Sequence, residues 1–170
     1  LTPREEYETL RDLGFGTPTG VPYPSEASGT LRPPRSWSAQ SPASLAMGYE
    51  IAVTPLQLAA AYAAIANGGE LLEPSFVKRI DAPDGTPRYR HERRVVRRVM
   101  SPEVAREVRG MLAAVVARGT AVEADLATFA VAGKSGTARR TEHGRHARGR
   151  HTATFVGLFP AAGPQFVIPG

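Results

Sequence analysis

The sequence predicts an α+β domain in which helices pack against an antiparallel sheet. Helices with clear start and stop signals occupy the middle of the chain, and segments of strand character joined by short or medium loops occupy its end. Consecutive strands of that kind pair antiparallel and do not need the crossover helices of a βαβ fold. With 170 residues, of which 42% are hydrophobic, the chain is long enough for one domain with a core.

The most strongly signalled helix runs from Thr54 to Asn67. Thr54 is placed to cap its first turn, Pro55 suits the first helical position, and Gln57 completes a capping box. Apolar residues and alanines fill the rest of the segment, and Gly68-Gly69 ends it. We therefore expect a central helix that is buried on most sides and too short to span a membrane.

Two further helices are predicted. Ser101-Pro102-Glu103 repeats the start signal, and apolar residues at helical spacing continue to a stop at Gly119. An amphipathic segment from Arg4 to Leu13 ends at Gly14.

Segments rich in β-branched and aromatic residues are expected to form strands, whereas positions 14–42, rich in Gly, Pro and Ser, are expected to be irregular. The predicted strands are Phe76 to Ile80, Arg88 to Val96, Phe129 to Ala132 continuing into Lys134, Thr152 to Phe159, and Phe166 to Ile168.

Composition excludes some kinds of chemistry. The chain has no cysteine, so it forms no disulfides and has no thiolate nucleophile. Its net charge of +5 comes mainly from arginines at 88–98 and 139–150. Such charge suits an anionic partner, but neither segment has the interleaved aromatic residues of a base-stacking surface. A nucleic-acid-binding module is therefore the last-ranked hypothesis. These residues also contain no signal peptide or membrane anchor.

The segment VAGKSGTARR contains the most informative motif. A phosphate-binding loop would need a glycine where Thr128 stands and a helix directly after Ser135, and the sequence offers neither. The alternative is the Lys-Ser/Thr-Gly element of penicillin-recognising acyl transferases, which lies on a strand beside a cleft. There a lysine places positive charge near a substrate carboxylate, a small hydroxyl donates to it, and glycine leaves room for a peptide.

Other phrases support the second interpretation. GYEIAVTPLQLAAAYAAIANGG, AVVARGTAVEA, VAGKSGTA and TFVGLFPA occur in this order, preceded by LGFGTPTGVPYPSEASGTL and Trp37. Together they resemble the transpeptidase domain of class B penicillin-binding proteins, the septal and elongation-specific cell-wall enzymes. The resemblance covers about residues 1–168 and implies a partial penicillin-binding transpeptidase fold, similar to serine β-lactamases.

The resemblance implies a D,D-transpeptidase that crosslinks peptidoglycan through a serine acyl-enzyme, with stem peptides as substrates and β-lactams as covalent inhibitors. Lys134 is then catalytic, and the backbone N–H of Thr137 is one half of the oxyanion hole. Ser135, Gly136 and Thr137 bind substrate. No cofactor or metal is expected. The resemblance further implies an extracytoplasmic location at the cytoplasmic membrane, an anchor upstream, and a glycosyltransferase and divisome or elongasome proteins as partners.

Two sequence motifs of the family, Ser-x-Asn and a helical Ser-x-x-Lys, do not occur here in the form that catalysis needs. Ser-x-Asn does not occur, and the one Ser-x-x-Lys, Ser75 to Lys78, follows Glu73-Pro74 and reads as a strand, where it cannot serve as a nucleophile and its base. We therefore expect residues 1–170 to be the C-terminal part of a transpeptidase domain, without the nucleophile and inactive alone. A non-catalytic β-lactam-binding sensor or scaffold stays open as an alternative. His143, His146 and His151 fit no zinc spacing and are expected in a solvated loop.

Overall fold

The computed structural model describes residues 1–142 and 145–170, with side chains described outside 139–150. Within them, helices and antiparallel strands alternate as an α+β fold, which confirms the predicted class. The helices are α1 (Pro3–Asp12), α2 (Ser41–Ala46), α3 (Pro55–Ala66) and α4 (Pro102–Arg118), with 3-10 turns at Pro34–Ser36 and Val122–Ala124. The strands are β1 (Thr30–Leu31), β2 (Ile51–Ala52), β3 (Glu70–Leu72), β4 (Arg79–Asp81), β5 (Pro87–Arg90), β6 (Val95–Arg98), β7 (Ala132–Glu142), β8 (Arg145–Phe159) and β9 (Phe166–Pro169).

The helices begin where the sequence predicts because their caps are local. Thr54 caps α3, its hydroxyl accepting from the Gln57 backbone N–H while the Gln57 side chain accepts from the Thr54 backbone. Ser101 caps α4 with a single bond, its hydroxyl accepting from the Val104 N–H. No residue from 56 to 66 of α3 is exposed, as expected for a helix at the centre of the fold.

The core lies between α3 and α4 and one face of the three-stranded sheet β7-β8-β9. Leu112 of α4 packs there with Ala132 of β7 and Leu158 of β8, both fully inaccessible to solvent. Apolar burial of this kind stabilises a fold by about 25 cal/mol per Å². The packing fixes the start of β7 against α4, which matters because the motif residues follow directly.

One side chain connects α3 to the irregular N-terminal segment. Gln57 is only 1% exposed. Its amide nitrogen donates to the carbonyls of Thr17 at 2.7 Å and Ser28 at 2.8 Å. Because every polar atom of this buried amide has a partner, it adds no desolvation penalty and holds the segment in place. The segment 14–42, expected to be irregular, contains the short strand β1 and the first residues of α2.

The prediction of a strand from Phe76 to Ile80 is largely wrong, since β4 begins only at Arg79. The Ser75 hydroxyl donates to the Val77 carbonyl at 3.0 Å and accepts from the Val77 N–H at 3.2 Å. Such local bonds compete with a strand ladder for the same backbone groups, and the segment is irregular.

The other strand boundaries shift for tertiary reasons. The strand expected at Arg88 to Val96 is broken into β5 and β6, because β5 pairs with β4 whereas β6 pairs with β3. Phe129 to Val131 lie outside the sheet, and β7 begins at Ala132. The loop expected around His143, His146 and His151 is also corrected for its described residues, since the β7-β8 ladder extends to the pair Glu142 and Arg145. The expected Thr152 to Phe159 and Phe166 to Ile168 strands are present within β8 and β9.

Candidate active site

The four motif residues, Lys134 to Thr137, lie consecutively on β7 just beyond the buried residue Ala132. The strand continues directly through Ser135 to Glu142, where a phosphate-binding loop would need the start of a helix, so that alternative is excluded. Lys134, Gly136 and Thr137 are exposed, and Ser135 is half-buried. The motif therefore leaves the core and reaches solvent within a few residues.

Backbone pairing shows which way the motif's peptide groups point. Phe155 of β8 exchanges both backbone hydrogen bonds with Gly170, at 2.7 and 2.8 Å, on the β9 side. In an antiparallel ladder successive residues direct their N–H and C=O groups to opposite sides. Thr154 and Val156 thus face β7, where their register partners are Gly136 and Lys134.

The backbone groups of Ser135 and Thr137 consequently point away from β8. In the described part of the chain no strand pairs with that edge of β7, because the sheet order is β7-β8-β9. The Thr137 N–H is therefore directed to the open edge, as a donor to an oxyanion there would have to be. An extended peptide could also pair with this edge through main-chain hydrogen bonds.

The side chains of Lys134 and Ser135 meet at this edge although they start on opposite faces of the strand. The Lys134 ammonium donates to the Ser135 carbonyl at 2.5 Å and reaches the Thr120 hydroxyl at 3.5 Å. The Ser135 hydroxyl donates to the Thr120 carbonyl at 3.2 Å and lies 3.5 Å from its hydroxyl. The site thus presents one cation and two hydroxyls, a suitable set for a carboxylate.

Gly136 avoids a clash with the side chain of its neighbour Thr154 on β8. A Cβ at this position would lie 2.6 Å from the Thr154 hydroxyl oxygen, closer than such atoms approach in proteins. The motif by itself indicated only that the glycine leaves room for a substrate. The structure adds that Thr154 already occupies the side-chain position.

Sequence reasoning missed Thr120 and Thr154. Thr120 lies within the phrase AVVARGTAVEA, which supported the family resemblance without assigning a role to any of its residues. Its contacts to β7 span 14 and 15 residues and depend on how α4 packs on the sheet. No local pattern indicates a contact of this kind.

The histidine hypothesis falls mostly outside the described residues. His143 is not described, and nothing is described of the His146 side chain. His151 lies on β8 and is exposed.

Together, an α+β fold and a Lys-Ser-Gly-Thr edge strand match the arrangement expected of the penicillin-recognising acyl transferase class. Comparison with known proteins gives the family. Residues 1–169 match the family model described as the penicillin binding protein transpeptidase domain. This chain therefore belongs to the penicillin-binding protein transpeptidase family.

Individual relatives agree with this assignment. The chain is 35% identical over 169 residues to the probable peptidoglycan D,D-transpeptidase PenA of Neisseria flavescens, covering 99% of this chain and 40% of the relative. It is 39% identical over 175 residues to penicillin-binding protein PbpB of Mycolicibacterium smegmatis, covering 98% of this chain and 27% of the relative. It thus spans less than half the length of these relatives.

A solved structure shows the same fold. Penicillin binding protein 3 of Mycobacterium tuberculosis, complexed with ampicillin, superposes with a TM-score of 0.88 at 36% identity. The match covers 96% of this chain and 38% of that one. The expected penicillin-binding transpeptidase fold is thereby confirmed. None of the helices in the described residues has the length and apolar character needed to cross a membrane.

Proposed function

We propose that this chain is the C-terminal part of a peptidoglycan D,D-transpeptidase domain, and that it supplies one wall of the active site. The observation that carries the proposal is the open edge of β7, where the Thr137 N–H and the side chains of Lys134 and Ser135 converge. Relatives named as peptidoglycan D,D-transpeptidases support the substrate class.

In the proposed reaction, a serine hydroxyl attacks the penultimate D-Ala carbonyl carbon of a stem peptide. A tetrahedral intermediate forms, the C–N bond breaks, and the terminal D-Ala leaves as its amine takes up a proton. An amine from a second stem peptide then displaces the serine. The negative charge on the carbonyl oxygen exists only in the tetrahedral state, so a donor aimed at that position lowers the barrier.

Each motif residue has a place in this scheme. The Lys134 ammonium provides positive charge near the terminal carboxylate and the nucleophile's proton network. The Ser135 hydroxyl has a single proton, which goes to the Thr120 carbonyl in this structure, and it turns to donate to that carboxylate when the peptide binds. Gly136 leaves the strand surface open to the peptide. The Thr137 N–H donates to the oxyanion.

The nucleophile comes from outside residues 1–170 in this proposal. The only Ser-x-x-Lys in the sequence, Ser75 to Lys78, lies in an irregular segment where the Ser75 hydroxyl bonds to Val77. A nucleophile needs its base within hydrogen-bond reach, and a helical turn supplies that geometry. The 40% and 27% coverage of the relatives leaves room for such a segment.

We further propose that β-lactams acylate the complete domain and that it works on the outer side of the cytoplasmic membrane. The ampicillin complex of the mycobacterial relative supports the first point. The location on the outer side of the membrane follows from a role in cell-wall synthesis, because peptidoglycan is assembled outside the membrane. A glycosyltransferase and division or elongation proteins would then be its partners.

Intact-mass spectrometry tests the proposal. The full-length protein and residues 1–170 would each be incubated with benzylpenicillin, with hydrolysed benzylpenicillin as the control, and any adduct would be located by peptide mapping. We expect one adduct on the full-length protein at a serine outside residues 1–170, and none on residues 1–170. A folded full-length protein without an adduct would instead indicate a non-catalytic scaffold, while a β-lactam-binding sensor would form the adduct but release no D-Ala from a stem peptide. An adduct at Ser75 would overturn the assignment of the motif.

A further inference from the structure

The end of α4 brings Thr120 to the open edge of β7. The Gly119 N–H donates to the Val115 carbonyl at 3.0 Å, and the Ala121 N–H donates to the same oxygen at 3.2 Å. Ala121 is buried, with 6% of its surface exposed. Thr120 is therefore held on both sides by one carbonyl of the helix.

Gly119 allows this tight connection. A Cβ there would lie 2.8 Å from both the Cα and the carbonyl oxygen of Val115, so the backbone passes too close to the helix for a side chain. The same helix buries Leu112 against Ala132, two positions before Lys134. One rigid element thus fixes both the strand that carries the motif and the residue opposite it.

Thr120 contacts both motif side chains. Its carbonyl accepts from the Ser135 hydroxyl at 3.2 Å, and its hydroxyl lies 3.5 Å from both the Lys134 ammonium and the Ser135 hydroxyl. A long lysine side chain in solvent loses rotamer entropy when it is held in place. A nearby acceptor that already restricts the lysine before the ligand arrives reduces the entropy cost of ligand binding.

We propose that Thr120 is a positioning residue of this site, which holds the Ser135 hydroxyl and the Lys134 ammonium together at the open edge of β7. This inference rests on the proposed function. Thr120 acts through Ser135 and Lys134 and takes no part in the bond changes. The 3.5 Å contacts are long for hydrogen bonds, and such contacts often shorten when substrate binds.

The test compares Thr120→Val, which keeps the shape and removes the hydroxyl, with Thr120→Ser, which keeps the hydroxyl. Thr128→Val is the matched control, because Thr128 is also exposed, follows α4, and has no hydrogen bond among the described residues to Lys134 or Ser135. Acylation of the full-length protein by benzylpenicillin would be followed by intact mass, separating the dissociation constant from the acylation rate.

We expect Thr120→Val to slow acylation by about three- to tenfold, the loss of one hydrogen bond, while Thr120→Ser and Thr128→Val stay within about twofold. A double-mutant cycle with Ser135→Ala should be non-additive, since Thr120→Val then removes contacts that Ser135→Ala has already weakened. A purely structural role would give additive effects and would lower the melting temperature of Thr120→Val.

Three results would overturn the inference while leaving the proposed function intact. These are normal acylation of Thr120→Val, an additive cycle, and a Thr120→Ser variant as slow as Thr120→Val. If Thr120→Val is less stable than wild type, the acylation rate of Thr120→Ser and the double-mutant cycle still distinguish a positioning role from a purely structural one. A folded wild-type protein that benzylpenicillin does not acylate would reject the proposed function, and the inference with it.

Discussion

Two Ser and Lys pairs in this chain have similar chemistry and different surroundings. Ser75 and Lys78 lie in an irregular segment, where the Ser75 hydroxyl bonds to the backbone of Val77 and Lys78 is exposed. Lys134 and Ser135 lie on a strand anchored in the core, and both contact Thr120. The spacing of the first pair matches the family's nucleophile motif better, yet the second pair has the geometry of a site.

The difference shows that spacing is informative only on a defined backbone. Three residues correspond to about one turn on a helix, so the side chains meet, whereas no fixed relation exists in an irregular segment. On β7 the hydrogen-bond ladder with β8 fixes the direction of each side chain and each backbone group. Even the adjacent side chains of Lys134 and Ser135, which start on opposite faces, therefore reach one point at the edge. Substitutions made in both pairs should therefore differ in effect.

The largest difference is expected between Lys134→Met and Lys78→Met in the full-length protein. Lys134→Met removes the only positive charge of the motif and should slow acylation by benzylpenicillin about 10²-fold or more, because a charge-assisted donor is lost. Lys78→Met should change it by less than about twofold. Rate constants from time-resolved intact mass provide the measurement. Equal effects of the two variants would contradict the assignment of the site.

Glycine substitutions test the rigidity of the strand. Gly136→Ala places a methyl group against the Thr154 hydroxyl, and we expect about 1–3 kcal/mol of destabilisation and roughly tenfold slower acylation. Gly163→Ala is the matched control, since nothing lies within 4 Å of a Cβ there. Chemical denaturation and acylation rates measure the two effects. A Gly136→Ala variant with wild-type stability would show that the strand can shift to accept a side chain.

A smaller difference is expected between the two serines. Ser135→Ala should slow acylation about three- to tenfold through the loss of one donor to the ligand carboxylate, and Ser135→Thr should restore it. Ser75→Ala should leave the rate unchanged. Restoration by Thr would support the hydroxyl as the active group, while an inactive Ser135→Thr variant would point to steric limits at the edge.

The smallest effect is expected on the pH dependence of stability, through the ion pairs of Glu70 on β3, the strand that precedes Ser75. The hydrogen bond from Arg93 to the Glu70 carboxylate, aided by Arg98, holds the pKa of Glu70 below its ordinary value. A depressed carboxyl pKa in the folded state adds stability above the unfolded-state pKa, and this stability is lost as the pH falls through the folded-state value.

Melting temperatures from about pH 7 to about pH 3 should therefore fall slightly less steeply for Glu70→Gln than for wild type. Glu92→Gln is the control, because Glu92 takes part in none of the ion pairs of the described residues. Acylation at neutral pH should be unaffected in both. Identical pH profiles for Glu70→Gln and wild type would show that this surface network is fully screened.

Features decided by neighbouring residues were predictable from the sequence. Thr54-Pro55 and Ser101-Pro102 set the helix starts through bonds within one turn, and both starts are confirmed. Strand boundaries were less predictable, because the break between β5 and β6 depends on a change of partner strand. The extension of β7 through arginine-rich positions follows from the ladder with β8 and contradicts local propensity.

The candidate site likewise has a part that was predictable from the sequence and a part that was not. The motif Lys134 to Thr137 could be read from its residue types and its family context. The direction of the Thr137 N–H could not, because it depends on the register of β8 and on the bonds between Phe155 and Gly170. Thr120 required the packing of α4 on the sheet.

The hydrogen bond from the Lys134 ammonium to the Ser135 carbonyl has a consequence for solubility. An open strand edge can recruit a second chain and start aggregation, and natural proteins often protect such edges with lysine. Here the ammonium occupies a carbonyl that an intruding strand would need. Lys134 thus combines its proposed active-site role with protection against edge-to-edge association, and a neutral residue at this position would leave the edge open to other chains as well as to substrate.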